Sequence, residues 1–140
     1  MSKNETESLT IYTDGGARGN PGPAGIGAVL FSGKTKKAEI SKYIGHATNN
    51  VAEYLAVVYA LQEALYIGIK NIVLKVDSQL VARQLRGEYK VRDINIRKFF
   101  DIVVSLLSKF ENVEIIEIPR EKNKEADKLV NDAIDCHVII

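Results

Sequence analysis

The chain has no tryptophan, one methionine, one cysteine and three prolines among its 140 residues. The single cysteine, Cys136, excludes an intrachain disulfide and any zinc site built on several thiolates. Close to the chain end, it reads as an incidental thiol. Its longest apolar runs fall far short of the roughly 20 residues a membrane-spanning helix needs. Net charge is also scarce: 19 Lys and Arg stand against 18 Asp and Glu, leaving +1. Bulk electrostatics therefore does not mark a nucleic-acid binder, and any such role must rest on local patches. The first eight residues, "MSKNETES", lack the apolar segment of a secretory signal. A cytoplasmic protein is the expectation. There is no internal repeat and no low-complexity linker, and the length suits one compact domain.

Two phosphate-binding signatures are missing as well. The stretch from Tyr12 to Gly25, "YTDGGARGNPGPAG", is rich in glycine but holds no G-x-G-x-x-G. In "GAVLFSGKT" the glycines Gly27 and Gly33 stand one residue too far apart for a P-loop. The glycines and prolines of 12–25 are left a geometric role: tight turns, and close approach to a surface.

Hydrophobic periodicity is present throughout. Residues 9–13, 25–32 and 38–45 read as three strands joined by short connections, an antiparallel meander. Residues 51–67 read as a long, largely buried helix, opened by Thr48, Asn49 or Asn50 and stopped by Gly68. A nearly continuous apolar run at 71–77 predicts a central strand. Helices are expected over 78–86 and 95–110, a strand over 112–119 and a last helix over 123–135. The order β-β-β-α-β-α-α-β-α predicts an α/β fold: a mixed sheet of five strands, the first three antiparallel, flanked by about four helices.

Four acids occupy unusual places on this plan. Asp14 ends the first strand and Asp77 ends the central one. If those strands are parallel neighbours, both carboxylates leave the same sheet edge, where α/β sheets place ligand sites. Glu53 lies in the first turn of the long helix, flanked by Val51, Ala52 and Leu55. Asp127 lies early in the last helix, among Ala126, Leu129 and Val130. Singly, each is explained by capping or solvation. Together they suggest carboxylates close enough to raise one another's pKa. A hard divalent cation resolves that conflict, and two can activate a water and stabilise a leaving oxygen in phosphoryl displacement.

In order and spacing, "YTDGGARGNPGPAGIGAVL", "TNNVAEYLAVVYAL", "VDSQLV" and "EADKLVNDA" resemble type 1 ribonuclease H, most of all its compact archaeal and bacterial members. The resemblance covers residues 9–135, which are expected to form the catalytic domain. Residues 1–8 are expected to be loosely attached. The resemblance implies the ribonuclease H-like fold and endonucleolytic hydrolysis of the RNA strand of an RNA–DNA hybrid, leaving 3′-hydroxyl and 5′-phosphate ends. It implies two Mg²⁺ ions, with Mn²⁺ as a substitute, held by Asp14, Glu53, Asp77 and Asp127. Asp14 would bridge the two ions, Glu53 and Asp77 would complete the shell, and Asp127 would hold the ion that activates water. Gly15, Asn20, Asn49, Asn50, Ser78 and Gln79 match hybrid-contacting positions, and Thr48 matches one that binds a DNA-strand phosphate.

The chain departs from that family in two loops. Better-known members carry a histidine before the last acid; here the loop is "PREKNKE". Arg120 is the candidate substitute, because a guanidinium can hold a phosphate bidentately, with Glu121 as runner-up. Both also read simply as surface charges. The basic protrusion of many members is reduced to "RGEYKVRD", and Asp93 stands where relatives carry a phosphate-binding asparagine. His46 and His137 read as incidental. The apolar tail 136–140, "CHVII", is expected to pack on the sheet or against a partner chain. A monomer without membrane attachment is expected, and activity on double-stranded RNA stays open. The competing readings are a non-catalytic hybrid-binding module and another nuclease of the same fold.

Overall fold

The computed structural model describes residues 7–138. Residues 1–6 and 139–140, parts of the two terminal segments singled out above, lie outside them. The described elements run β1 (Ser8–Ala17), β2 (Gly22–Ser32), β3 (Thr35–Ala47), α1 (Asn49–Ile67), β4 (Asn71–Val76), α2 (Gln79–Leu85), α3 (Ile94–Leu107), β5 (Asn112–Glu117) and α4 (Lys124–Val138). The sheet order is β3-β2-β1-β4-β5. β2 pairs antiparallel with both β1 and β3, whereas β4 lies parallel to both β1 and β5. This is the mixed five-stranded architecture expected from the pattern. No helix among the described residues is long and apolar enough to cross a membrane.

Helix α1 packs on one face of the sheet because its small residues recur every four positions. Ala52, Ala56, Ala60 and Ala64 are all fully buried, so the helix axis can sit close to the strands. The Thr48 hydroxyl caps its start, accepting from the Val51 N–H at 3.2 Å. Gly68 ends it at φ 90°, donating its N–H to Ala64 O at 3.1 Å. Leu9 and Ile11 of β1, Leu30 of β2 and Leu74 of β4 complete this core with Val103 of α3. Within it the Tyr54 hydroxyl donates to Gln84 Oε1 at 2.5 Å, and both residues are buried. Tyr54→Phe leaves the Gln84 oxygen without that donor. Urea unfolding is expected to show a loss of roughly 1–3 kcal/mol.

Helix α4 covers the other face, burying Ala126, Leu129, Val130, Ala133 and Ile134. It is pinned to β3 by Ser41 Oγ donating to Leu129 O at 2.7 Å and by a Lys36–Glu125 ion pair.

The glycine-rich stretch is not a long loop. β1 runs on through Ala17 and β2 begins at Gly22, leaving only Arg18–Pro21 as the connection. Gly15, Gly25 and the nearby Gly27 meet the protein's own helices rather than an external surface. A Cβ on Gly15 would lie 2.3 Å from the Ala52 backbone, and one on Gly27 would lie 2.3 Å from Ala126 O. Their missing side chains let α1 and α4 approach the two faces of one hairpin.

Further boundaries differ from expectation, among them β3, which runs from Thr35 to Ala47 instead of over 38–45. α3 ends at Leu107, with Phe110 buried beyond it. β5 stops at Glu117, and a 3-10 turn, Arg120–Lys122, precedes α4. α4 continues through Val138, where the His137 ring stacks on Tyr43 of β3 at 3.6 Å and 8°. That contact extends the helix past the expected end at 135.

Candidate active site

The last parallel pair between β1 and β4 is Thr13 with Val76. The next residues, Asp14 and Asp77, therefore emerge side by side at the carboxyl edge of the two central strands. The amino-terminal part of α1 brings Glu53 to the same edge, and the first turn of α4 brings Asp127. All four line one open cavity of about 350 Å³ together with Arg120 and Asn49.

The electrostatics of this cavity follow from burial and like charge. The Asp14 carboxyl is pushed up to about 8, first by burial, then by the charge of Asp77 and by a hydrogen bond with Asp127. The Gly15 N–H, donating to Asp14 Oδ1 at 2.9 Å, works the other way. Glu53 is pushed up to about 7, again chiefly by burial, and further by Asp77. A Ser78 hydrogen bond and the Arg120 guanidinium offset part of that rise.

Both carboxyls hold their protons more tightly when folded than when unfolded. Their contribution to stability is complete below about pH 4 and is lost as pH rises through 7 and 8. In EDTA, calorimetry is expected to show a melting temperature about 5 °C lower at pH 8 than at pH 5.5, a difference of roughly 2 kcal/mol. A flat profile over that range would contradict the charge conflict.

A cation would relieve the same conflict, and the donors are the hard oxygens that Mg²⁺ or Mn²⁺ takes. Among the described residues no three acids, histidines or cysteines converge to enclose an ion. The four carboxylates surround a space instead. Such spacing suits an ion that keeps most of its water and is held by one or two carboxylates.

The other residues expected to act here fall into separate groups. Gly15 lines the acid cavity, and Asn49 lends its Oδ1 to the Ala17 N–H at 2.8 Å. Asn20, Thr48 and Asn50 line a second cavity of about 460 Å³, together with His46, Asp93 and Lys98. There Asn20 Oδ1 accepts from the Asn49 N–H at 3.0 Å. Ser78 caps α2, accepting from the Val81 N–H at 3.2 Å, besides bonding Glu53. Gln79 is exposed at the start of α2 and lines neither cavity. Arg120 is exposed but borders the acids, whereas Glu121 does not. Arg18 pairs with Asp135 and donates to Asn131 Oδ1 at 3.2 Å, tying the hairpin tip to α4. Asn123, unremarked in the sequence beyond opening the last helix, is 1% exposed and reaches Asp77.

A family model described as "Reverse transcriptase-like" matches residues 12–133. Ribonuclease HI of Halobacterium salinarum is 45% identical over 125 residues, 89% of this chain and 63% of that protein. The solved RNase H1 of the same archaeon superposes with a TM-score of 0.89 at 43% identity, covering 91% of this chain and 98% of that one. The chain belongs to the type 1 ribonuclease H family. The bifunctional protein Rv2228c of Mycobacterium tuberculosis is 41% identical over 130 residues, 91% of this chain but 36% of its own length. LC11-RNase H1, isolated from compost by a metagenomic approach, was solved in complex with an RNA/DNA hybrid. It matches with a TM-score of 0.88 at 43% identity, over 93% of this ribonuclease H chain and 99% of its own. The chain spans between about a third and two thirds of the length of these curated relatives.

Proposed function

We propose that the chain is a metal-dependent endoribonuclease that hydrolyses the RNA strand of RNA–DNA hybrids. The observation that carries this reading is the set of four carboxylates around one cavity, at the carboxyl edge of the β1–β4 pairing, beside the Arg120 guanidinium. A relative at 43% identity whose structure includes an RNA/DNA hybrid supports the choice of substrate.

Asp14, Glu53, Asp77 and Asp127 would hold two Mg²⁺ ions, or Mn²⁺ in their place. When bound, the ions supply a water acidified enough to attack phosphorus and a counter-charge for the leaving oxygen. Hydrolysis at the bond to the 3′ oxygen would leave a 3′-hydroxyl and a 5′-phosphate. Asp14 is central because it feels both Asp77 and Asp127. Asn20, Thr48 and Asn50, around the second cavity, offer polar groups suited to a phosphate and to 2′-hydroxyls in a shallow minor groove.

Arg120 is assigned to the scissile phosphate. Its guanidinium cannot serve as a base near neutral pH, but it can hold two phosphate oxygens at once. Arg120→Ala is expected to lower turnover about 100-fold while changing the hybrid KM much less. Steady-state kinetics with unchanged turnover would remove this role.

The direct test incubates the protein with labelled RNA–DNA hybrid, double-stranded RNA and double-stranded DNA, with Mg²⁺, Mn²⁺ or EDTA. Cleavage confined to the RNA strand of the hybrid and abolished by EDTA is expected. Hybrid binding without metal-dependent cleavage would sink the hydrolase reading in favour of a binding module. Cleavage of double-stranded RNA in the same assay would widen the substrate range.

A further inference from the structure

Asn123 lies between the 3-10 turn and α4 and is 1% exposed. Its Nδ2 donates to two acceptors from distant parts of the chain, Thr13 O at 2.8 Å and Asp77 Oδ2 at 2.7 Å. Its backbone reaches two more site segments. The N–H donates to Arg120 O at 2.9 Å, and the carbonyl accepts from the Asp127 N–H at 3.1 Å. One residue thus touches Asp77, Asp127, Arg120 and the neighbour of Asp14.

The plain alternative is a helix cap. A capping asparagine uses its side-chain oxygen to accept from the N–H groups of the first turn. Here Asn123 Oδ1 has no hydrogen-bond partner among the described residues. The amide cannot be reversed, because that would set its oxygen against a carbonyl and a carboxylate. The side chain is therefore committed through its donors, toward the acids and away from the helix.

We propose that Asn123 is a positioning residue of this site: it occupies one oxygen of Asp77, leaves the other for the cavity, and locks the start of α4 onto the ends of β1 and β4. The inference rests on the hydrolase reading above. Asp77 is then presented as a one-oxygen ligand of fixed direction, and Asp127 and Arg120 are set at fixed distances from it. Groups that orient a metal's ligands in this way are typically worth 10–100-fold in metal affinity or activity.

The test compares the unmodified chain with Asn123→Ala and Asn123→Ser. Mn²⁺ affinity is measured by calorimetry on the free protein, and kcat and KM are measured on labelled hybrid. Asn123→Ala is expected to bind Mn²⁺ about 10–100-fold more weakly and to lose turnover to a similar degree, with KM within about twofold. Added Mg²⁺ should recover part of that turnover in a variant that melts well above the assay temperature in EDTA, where a fault of folding is already excluded. Asn123→Ser, with one hydroxyl donor in the same space, should fall between. A folded alanine variant with unchanged Mn²⁺ affinity and kcat would overturn the proposal. So would failure of both variants to fold, which would leave Asn123 a purely structural role. An unmodified chain that neither binds Mn²⁺ nor cleaves hybrid would instead sink the hydrolase reading, and this inference with it.

Discussion

Asp14→Asn is expected to abolish cleavage and, at the same time, to make the metal-free protein more stable at pH 8. The first effect follows from position. Asp14 lies one residue past the last β1–β4 pair, beside Asp77, and its pKa is raised by both Asp77 and Asp127, so it couples the two sides of the cavity. A loss of about three orders of magnitude or more in turnover is anticipated for such a group. The second follows from its raised pKa of about 8, which records how poorly the folded site accommodates that charge. Asparagine keeps an oxygen for the Gly15 N–H and offers an amide donor to Asp127, without the negative charge. Its melting temperature in EDTA should exceed that of the unmodified chain by several degrees at pH 8 and by less at pH 5.5. Mn²⁺ should raise the melting temperature of the unmodified chain and hardly move that of the variant. Retained cleavage would end the assignment of Asp14. A variant less stable at pH 8 would show that burial and like charge are not what raises its pKa.

Gly27→Ala is expected to give a large loss of stability from one added methyl group. The new Cβ would lie 2.3 Å from Ala126 O, 2.9 Å from Leu129 Cβ and 3.1 Å from Val130 N. Two of these are backbone atoms of α4 and cannot swing aside, so the helix must lift from β2. A cost of roughly 3 kcal/mol or more is anticipated in urea unfolding, at the upper end of overpacking effects. Activity should fall with it, because α4 carries Asp127 and begins beside Asn123. Gly33→Ala is the control. That glycine has φ 59° with nothing within 4 Å of an added Cβ, so only backbone strain of about 1 kcal/mol is expected. Equal losses at the two positions would refute the packing argument.

The acids were legible in the sequence because their meaning is local. Strands and the starts of helices can be read from hydrophobic period and caps, and parallel pairing of β1 with β4 then puts Asp14 beside Asp77. The glycines were legible as unusual but not as what they are. A missing side chain does not say which neighbour fills its space, and those neighbours, Ala52 and Ala126, lie 37 and 99 residues away from Gly15 and Gly27. The Arg18–Asp135 pair is hidden from the sequence for the same reason, since its members stand 117 residues apart. Asn123 looked like any residue opening a helix. Only the meeting of residues 13, 77 and 123 reveals that its amide faces the acids.

Helix α4 is the last described element, yet it supplies Asp127 and the main cover of one sheet face. Every other acid of the cavity lies on segments that precede it. Domains generally fold as units. A fold without α4 would lack both its fourth carboxylate and the cover of one sheet face. Losing the seat of α4 should therefore cost the candidate site and the stability of the sheet together.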